Sequence, residues 1–242
     1  MKFILYFLLP LALLACTSSS SDKNNIASAD KNASGESCLA DIAADNSLEN
    51  MISMTDVAAL INTESNLIEY EESKSSSSKY STVQFRWEAE EERLMRIVVK
   101  AGDREIVTEN PVKNQVNVGN VEVLKADDPA KYFRRTYGPQ TDEEKTKAKE
   151  SLDRASKSSD KVDKQSAETI KKMVDERSVN VVENIGDQAY WNTNAVSGVE
   201  YLNIRVLHKN VMFKVTVDVS ADTEEDLALA KKVAKAVVDN CN

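Results

Sequence analysis

The sequence predicts an α+β fold: a mainly antiparallel sheet flanked by an N-terminal helix, a charged central helical segment and a C-terminal helix. Three observations carry that expectation. Tyr80–Glu88, Glu200–Leu207 and Val211–Val219 are rich in β-branched and aromatic residues and are bounded by polar stretches, as strands joined by turns are. Between Thr141 and Ser178 stand ten acidic and ten basic residues, often with acid four positions before base, the order that favours a helix. The run from Asp222 to Cys241 repeats apolar residues at spacings of three and four.

Taken in order, the chain opens with a positive charge at Lys2 and an almost wholly apolar run, Phe3–Ala15. These are the n-region and h-region of a signal peptide. As a helix the run would span only about 20 Å, short of a hydrocarbon core of about 30 Å. Leu13-Leu14-Ala15-Cys16 resembles the bacterial lipobox, which implies a diacylglyceryl thioether on Cys16 and cleavage after Ala15. At about 0.8 kcal/mol per buried CH₂, two or three acyl chains anchor a protein stably. Thr17–Ser37 is Ser/Asn/Asp/Lys/Ala with almost no large apolar residue, too poor in apolar surface to fold. It is expected to act as a flexible tether reaching about 25 Å. The expected organisation is therefore a signal peptide at 1–15, a tether at 16–37 and a single α+β domain at 38–242, with its charged helical section at about 141–178. Threonine after the cysteine, and no acidic export signal close behind it, point to the outer membrane with the domain facing the periplasm.

Within the domain, Ser47–Asn62 reads as helical in one or two pieces, with Ser53 or Thr55 as an N-cap. Asn66–Glu71 is a short strand, and Ser73–Lys79 reads as a flexible hairpin loop. Tyr80–Glu88 places Val83, Phe85 and Trp87 on one face. Leu94–Lys100, Glu105–Thr108 and Gln115–Leu124 continue what reads as an antiparallel meander. Thr141 and Glu144 form a capping box, and Ser156–Asp160 is a candidate break in the charged helix. Val179–Ile185 is a strand, and the last two strands meet across His208-Lys209-Asn210. Asp222 caps the final helix, whose inner face carries Leu227, Ala230, Ala234, Val237, Val238 and Cys241.

Charge and cysteine usage restrict the function. The net charge is −9, and removal of Lys2 with the leader makes it one unit more negative. Such a chain repels phosphate backbones, which argues against nucleic-acid binding, and contact with a membrane must come from the lipid. With Cys16 assigned to lipid, Cys38 and Cys241 remain, one at each end of the domain of an exported protein. A disulfide between them would close a loop worth about 5 kcal/mol at most in the chain-entropy model.

Catalytic constellations are missing from the sequence. His208 is the one histidine, expected to be an exposed turn residue. Six glycines form no phosphate loop, and there is no CxxC, HExxH or Gly-x-Ser-x-Gly pattern. Glu88–Glu92 contains four glutamates in a polar stretch and reads as a solvated face. Tyr190 and Trp191 read as a wedge between sheet and helix before a ligand platform. No cofactor or metal is implied. Ile185-Gly186-Asp187-Gln188-Ala189-Tyr190-Trp191, read as a turn, is followed by the strand pair YLNIRVLHKNVMFKVTVDV and the helix AKKVAKAVVDN. This series resembles bacterial lipoproteins of unknown function, some with a Mog1/PsbP-like α/β/α sandwich. The resemblance implies a fold and an envelope setting without chemistry to transfer. The expectation is a non-enzymatic envelope protein binding a protein partner or a small ligand. The alternative is an envelope hydrolase with a carboxylate site that sequence does not reveal.

Overall fold

The computed structural model describes residues 38–89, 93–101, 104–157, 168, 178–196 and 199–242. Its helices include α1 (Cys38–Asp45), α2 (Met54–Leu60), α3 (Pro129–Tyr137), α4 (Asp142–Lys157) and α5 (Thr223–Asn240). The first strands are β1 (Glu69–Ser73), β2 (Thr82–Trp87), β3 (Arg93–Ala101), β4 (Arg104–Val112) and β5 (Asn114–Val123). The later ones are β6 (Asn180–Val182), β7 (Gln188–Val196), β8 (Val199–His208) and β9 (Val211–Asp218). Seven of them form one antiparallel sheet in the order β1-β2-β5-β9-β8-β7-β6. The protein is thus α+β, with helices at both ends of the domain.

Strand alternation gives the sheet a thoroughly apolar face. Val83 and Phe85 of β2, Val116 and Val118 of β5, Phe213, Val215 and Val217 of β9, and Leu202, Ile204 and Val206 of β8 are all buried there. Against them pack Leu39 and Ile42 of α1, Val57 and Ala58 of α2, and Ala230, Val233, Ala234 and Val237 of α5. Helix α5 lies on β8 and β9, and its small residues allow that close approach. At its end Cys241 is bonded to Cys38, the first residue of α1, with Cα atoms 5.1 Å apart, inside the range a disulfide bridges. The bridge ties together both ends of the helical layer.

Local chemistry fixes several boundaries. Ser53 caps α2 in a reciprocal box with Asp56. Thr141 does the same for α4 with Glu144, and Glu143 and Lys147 pair along it at 2.6 Å. The expected break at Ser156–Asp160 and the rest of the segment to 177 fall, residue 168 apart, outside the described residues or at their margin. Lys209 and Asn210 both have positive φ, 47° and 62°, the signature of a tight type I′ hairpin between β8 and β9.

Four expectations need correction. The meander is interrupted: β2 pairs directly with β5, and β3 with β4 forms a separate two-stranded sheet inserted between them. Ser73–Lys79 is knitted down, because Ser78 donates to the Ala43 carbonyl at 2.8 Å, Asn46 to the Ser75 carbonyl at 3.0 Å, and the Ser75 N–H to Ser81 Oγ at 2.9 Å. Hydroxyl groups that looked like solvent-facing loop chemistry satisfy backbone groups instead. Gln188–Val196, read as beginning in a turn, is a strand throughout. Finally, α3 was not foreseen. It packs on the opposite face of the sheet, where Phe133 stacks on Tyr190 with ring centroids 5.4 Å apart and meets Leu124, Leu207 and Met212.

Candidate functional site

Helix α3 covers only part of the second face, and what it leaves open is polar. The register places Gln84, Asn117, Thr216, Asn203 and Asn192 directly opposite one another on five adjacent strands. Side chains opposite one another in neighbouring antiparallel strands stand about 5 Å apart, so the five form a row across the sheet. Within it, Thr216 Oγ1 donates to Asn203 Oδ1 at 2.9 Å, and Asn203 Nδ2 donates to the Tyr201 carbonyl at 3.2 Å. Beside the row, Gln84 donates to Gln115 at 2.6 Å.

A second row, two residues along, runs Thr82, Gly119, Lys214 and Arg205. Gly119 sits at a bulge in β5 with φ of +156°, and a Cβ there would collide with the Ser81 carbonyl oxygen. The absent side chain lowers the floor between Thr82 and Lys214. The result is a cleft of about 380 Å³, lined chiefly by carboxamides and hydroxyls, with Asn117, Tyr201 and Asn203 on one side and Lys214 on the other. Asn120 also lines it, and its buried Oδ1 has no hydrogen-bond partner among the described residues. Burial pushes the Lys214 ammonium below the ordinary lysine value, and neighbouring Arg205 acts in the same direction. Arg205 marks the border with the covered part: it donates to Asn192 at 3.2 Å and lies over the Tyr137 ring, 5.2 Å from its centroid.

Residues singled out from sequence fall elsewhere. Cys16 lies outside the described residues, as do Glu90–Glu92. Glu88 is exposed and pairs with Lys113 at 2.8 Å. Tyr190 belongs to the α3 core, whereas Trp191 points the other way and packs on the main core. His208 is buried, 6% exposed, which corrects its expected exposure at the turn. Only Lys209 and Asn210 form the turn. His208 is still in register with Val211 and continues the inward alternation of Leu202, Ile204 and Val206. Neither ring nitrogen makes a well-formed hydrogen bond among the described residues. Burial is the main cause that holds its pKa below the ordinary value; Lys209 adds to the shift, while Asp187 and the Asn242 side chain oppose it.

One pair of buried acids lies outside the lining of the cleft, although Gln115 of the lining donates to Asp218 at 3.4 Å. Asp218 is clamped by Arg93, which also donates to the Asp218 carbonyl at 3.2 Å and to Asn114 at 2.9 Å. Asp226 Oδ1 accepts from the Val219 and Ser220 amides, at 3.0 Å each, and so closes the turn from β9 into α5. Burial is the largest influence on Asp226 and raises its pKa. Both carboxylates are occupied in holding strand ends. Among the described residues no group of three or more His, Cys, Asp or Glu side chains is placed to hold a metal, and no helix is long and apolar enough to cross a membrane. Compared with family models, curated proteins and solved structures, the chain matches none.

Proposed function

We propose that this is a lipid-anchored cell-envelope protein whose domain binds a small ligand on the open face of its sheet and does not transform it. The observation that carries the reading is the composition of the cleft: carboxamides, hydroxyls and one ammonium, with no carboxylate, thiol or imidazole among its lining residues. Such groups orient a ligand through hydrogen bonds but supply no nucleophile–base pair. The hydrolase alternative draws on Asp226, a carboxylate with a raised pKa beside a second buried acid. It is the weaker reading, because Asp226 and Asp218 do not line the cleft and their oxygens are bonded to backbone amides and to Arg93. Placement on the periplasmic side of an outer membrane, and kinship with lipoproteins of the Mog1/PsbP-like type, belong to the same proposal. They rest on Leu13–Cys16 and on the series from Ile185 to the final helix.

Two experiments test it. Purified protein equilibrated with an envelope extract should retain small molecules of unchanged mass, and Asn117→Trp, which fills the cleft, should retain none. Retention of nothing, or release of new products, overturns the binding reading. For the anchor, mass spectrometry of membrane-extracted protein should find an acylated Cys16 at the mature N-terminus. An intact Met1 or an unmodified Cys16 sinks that part.

A further inference from the structure

The cleft has a charge bias that sets it apart from the rest of the chain. The protein carries a net −9, and its other cations commonly find acids: Lys79 meets Glu122 at 2.8 Å, Lys113 meets Glu69 at 2.6 Å, and Arg134 meets Glu144 at 2.8 Å. Lys214 has no ion-pair or hydrogen-bond partner among the described residues, although it is partly buried and stands directly opposite Arg205. A cation withdrawn from water beside a second cation is destabilising unless an anion meets it. On the other side of Gly119 the Thr82 hydroxyl is free, and so are the Asn117 carboxamide and the Tyr201 hydroxyl, again among the described residues. These groups offer both donors and acceptors, which is what a ring of hydroxyl groups requires.

We propose that the cleft binds a small acidic sugar, its carboxylate on Lys214 and its hydroxyls on Asn117, Thr82 and Tyr201. The assignment rests on the reading of the open face as a binding face and names the ligand class. A simple anion would leave the carboxamides and hydroxyls unused, and a neutral sugar would leave Lys214 uncompensated. The cleft's 380 Å³ suits a ligand of one or two sugar rings.

Isothermal titration of the purified full chain with D-glucuronate, D-glucose, acetate and inorganic phosphate separates these possibilities. Glucuronate is expected to bind at least about tenfold more tightly than each of the other three, since a charge-assisted hydrogen bond and the hydroxyl contacts each contribute on that scale. Lys214→Met should weaken glucuronate by about tenfold or more, and Asn117→Leu by several-fold. Thermal melting of Lys214→Met should show a fold at least as stable as the parent, so that lost binding is not lost structure. Glucuronate binding no tighter than acetate or glucose, phosphate binding best, or binding indifferent to Lys214→Met would overturn the assignment. If the envelope extract still yields an Asn117-dependent ligand of another class, the binding face stands and only the acidic-sugar assignment falls. If it yields none, both fall.

Discussion

The two faces of the central sheet are built from the same strands, yet they obey different rules. On the helix-covered face Val83, Phe85, Val116, Phe213 and Val215 are fully buried in one apolar cluster. On the open face their immediate sequence neighbours, Gln84, Asn117, Lys214 and Thr216, keep carboxamide, hydroxyl and ammonium groups, two of them, those of Asn117 and Lys214, with no hydrogen-bond partner among the described residues. Alternation along one backbone therefore writes a stability surface and a recognition surface at the same time. The first tolerates loss of atoms badly because a cavity remains. The second tolerates substitution at Asn117 and Lys214, whose side chains make no hydrogen bond among the described residues, better than at Thr216 and Asn203, which are buried and bonded to each other.

The widest gap between the faces should appear on truncation. Phe213→Ala is expected to cost about 3–5 kcal/mol, whereas Asn117→Ala should stay within about 0.5 kcal/mol and affect ligand retention instead. Urea denaturation of both variants measures this, and comparable losses would break the distinction. Next comes the disulfide that ties the helical layer. Cys38→Ser with Cys241→Ser should lower stability by about 2–5 kcal/mol and leave ligand affinity at the cleft unchanged, because the bridge lies on the other face. A loss of affinity in the folded double variant would show that the faces are coupled.

A smaller effect is expected at the α2 cap. Ser53→Ala removes a side-chain acceptor for the Asp56 amide and half of a capping box, at about 1 kcal/mol. The subtlest test is the pH response of His208. Its pKa is lowered in the folded protein, so the unfolded chain takes up the proton first as pH falls. The stabilising contribution is complete above the unfolded value of about 6.5 and is lost as pH drops through the lower folded value. Between about pH 7 and pH 5.5, His208→Leu should flatten the decline in stability that the parent shows. An unchanged slope would mean that the ring titrates alike in both states.

Much of the covered face was legible in the sequence. The 3–4 spacing in α5 and the alternation in β2, β8 and β9 mark their buried sides, the Thr141 box marks a helix start, and Ser53 was one of the two caps offered for α2. The elements that were missed have weak or two-sided patterns. Helix α3 buries a single residue fully, Phe133, in the strongly polar run PAKYFRRTY; its one clear signal was Asp128 followed by Pro129, an N-cap with proline in the first turn. Strand β7 is partly covered on both faces, Trp191 against the main core and Tyr190 against α3, so its alternation is blurred. The cleft was illegible for another reason. QVNVGN and FKVTVD look like ordinary half-solvated strands until their polar positions are known to be neighbours.

By itself, then, the sequence determined the features that the backbone's local period dictates: which side of each regular element is apolar and where capped helices begin. It also supplied the two cysteines that close the domain. Tertiary structure decided everything that depends on strand order. It set β9 between β5 and β8, so that Asn117, Thr216 and Asn203 meet in one row although the first lies far from the other two in sequence. It also laid α3 over one part of the second face and left Lys214 open in the other, and it carried His208 inward. Side-chain periodicity is imposed residue by residue by φ and ψ. Strand order is settled only when the whole chain buries its apolar faces together, and the open cleft is what that arrangement leaves over.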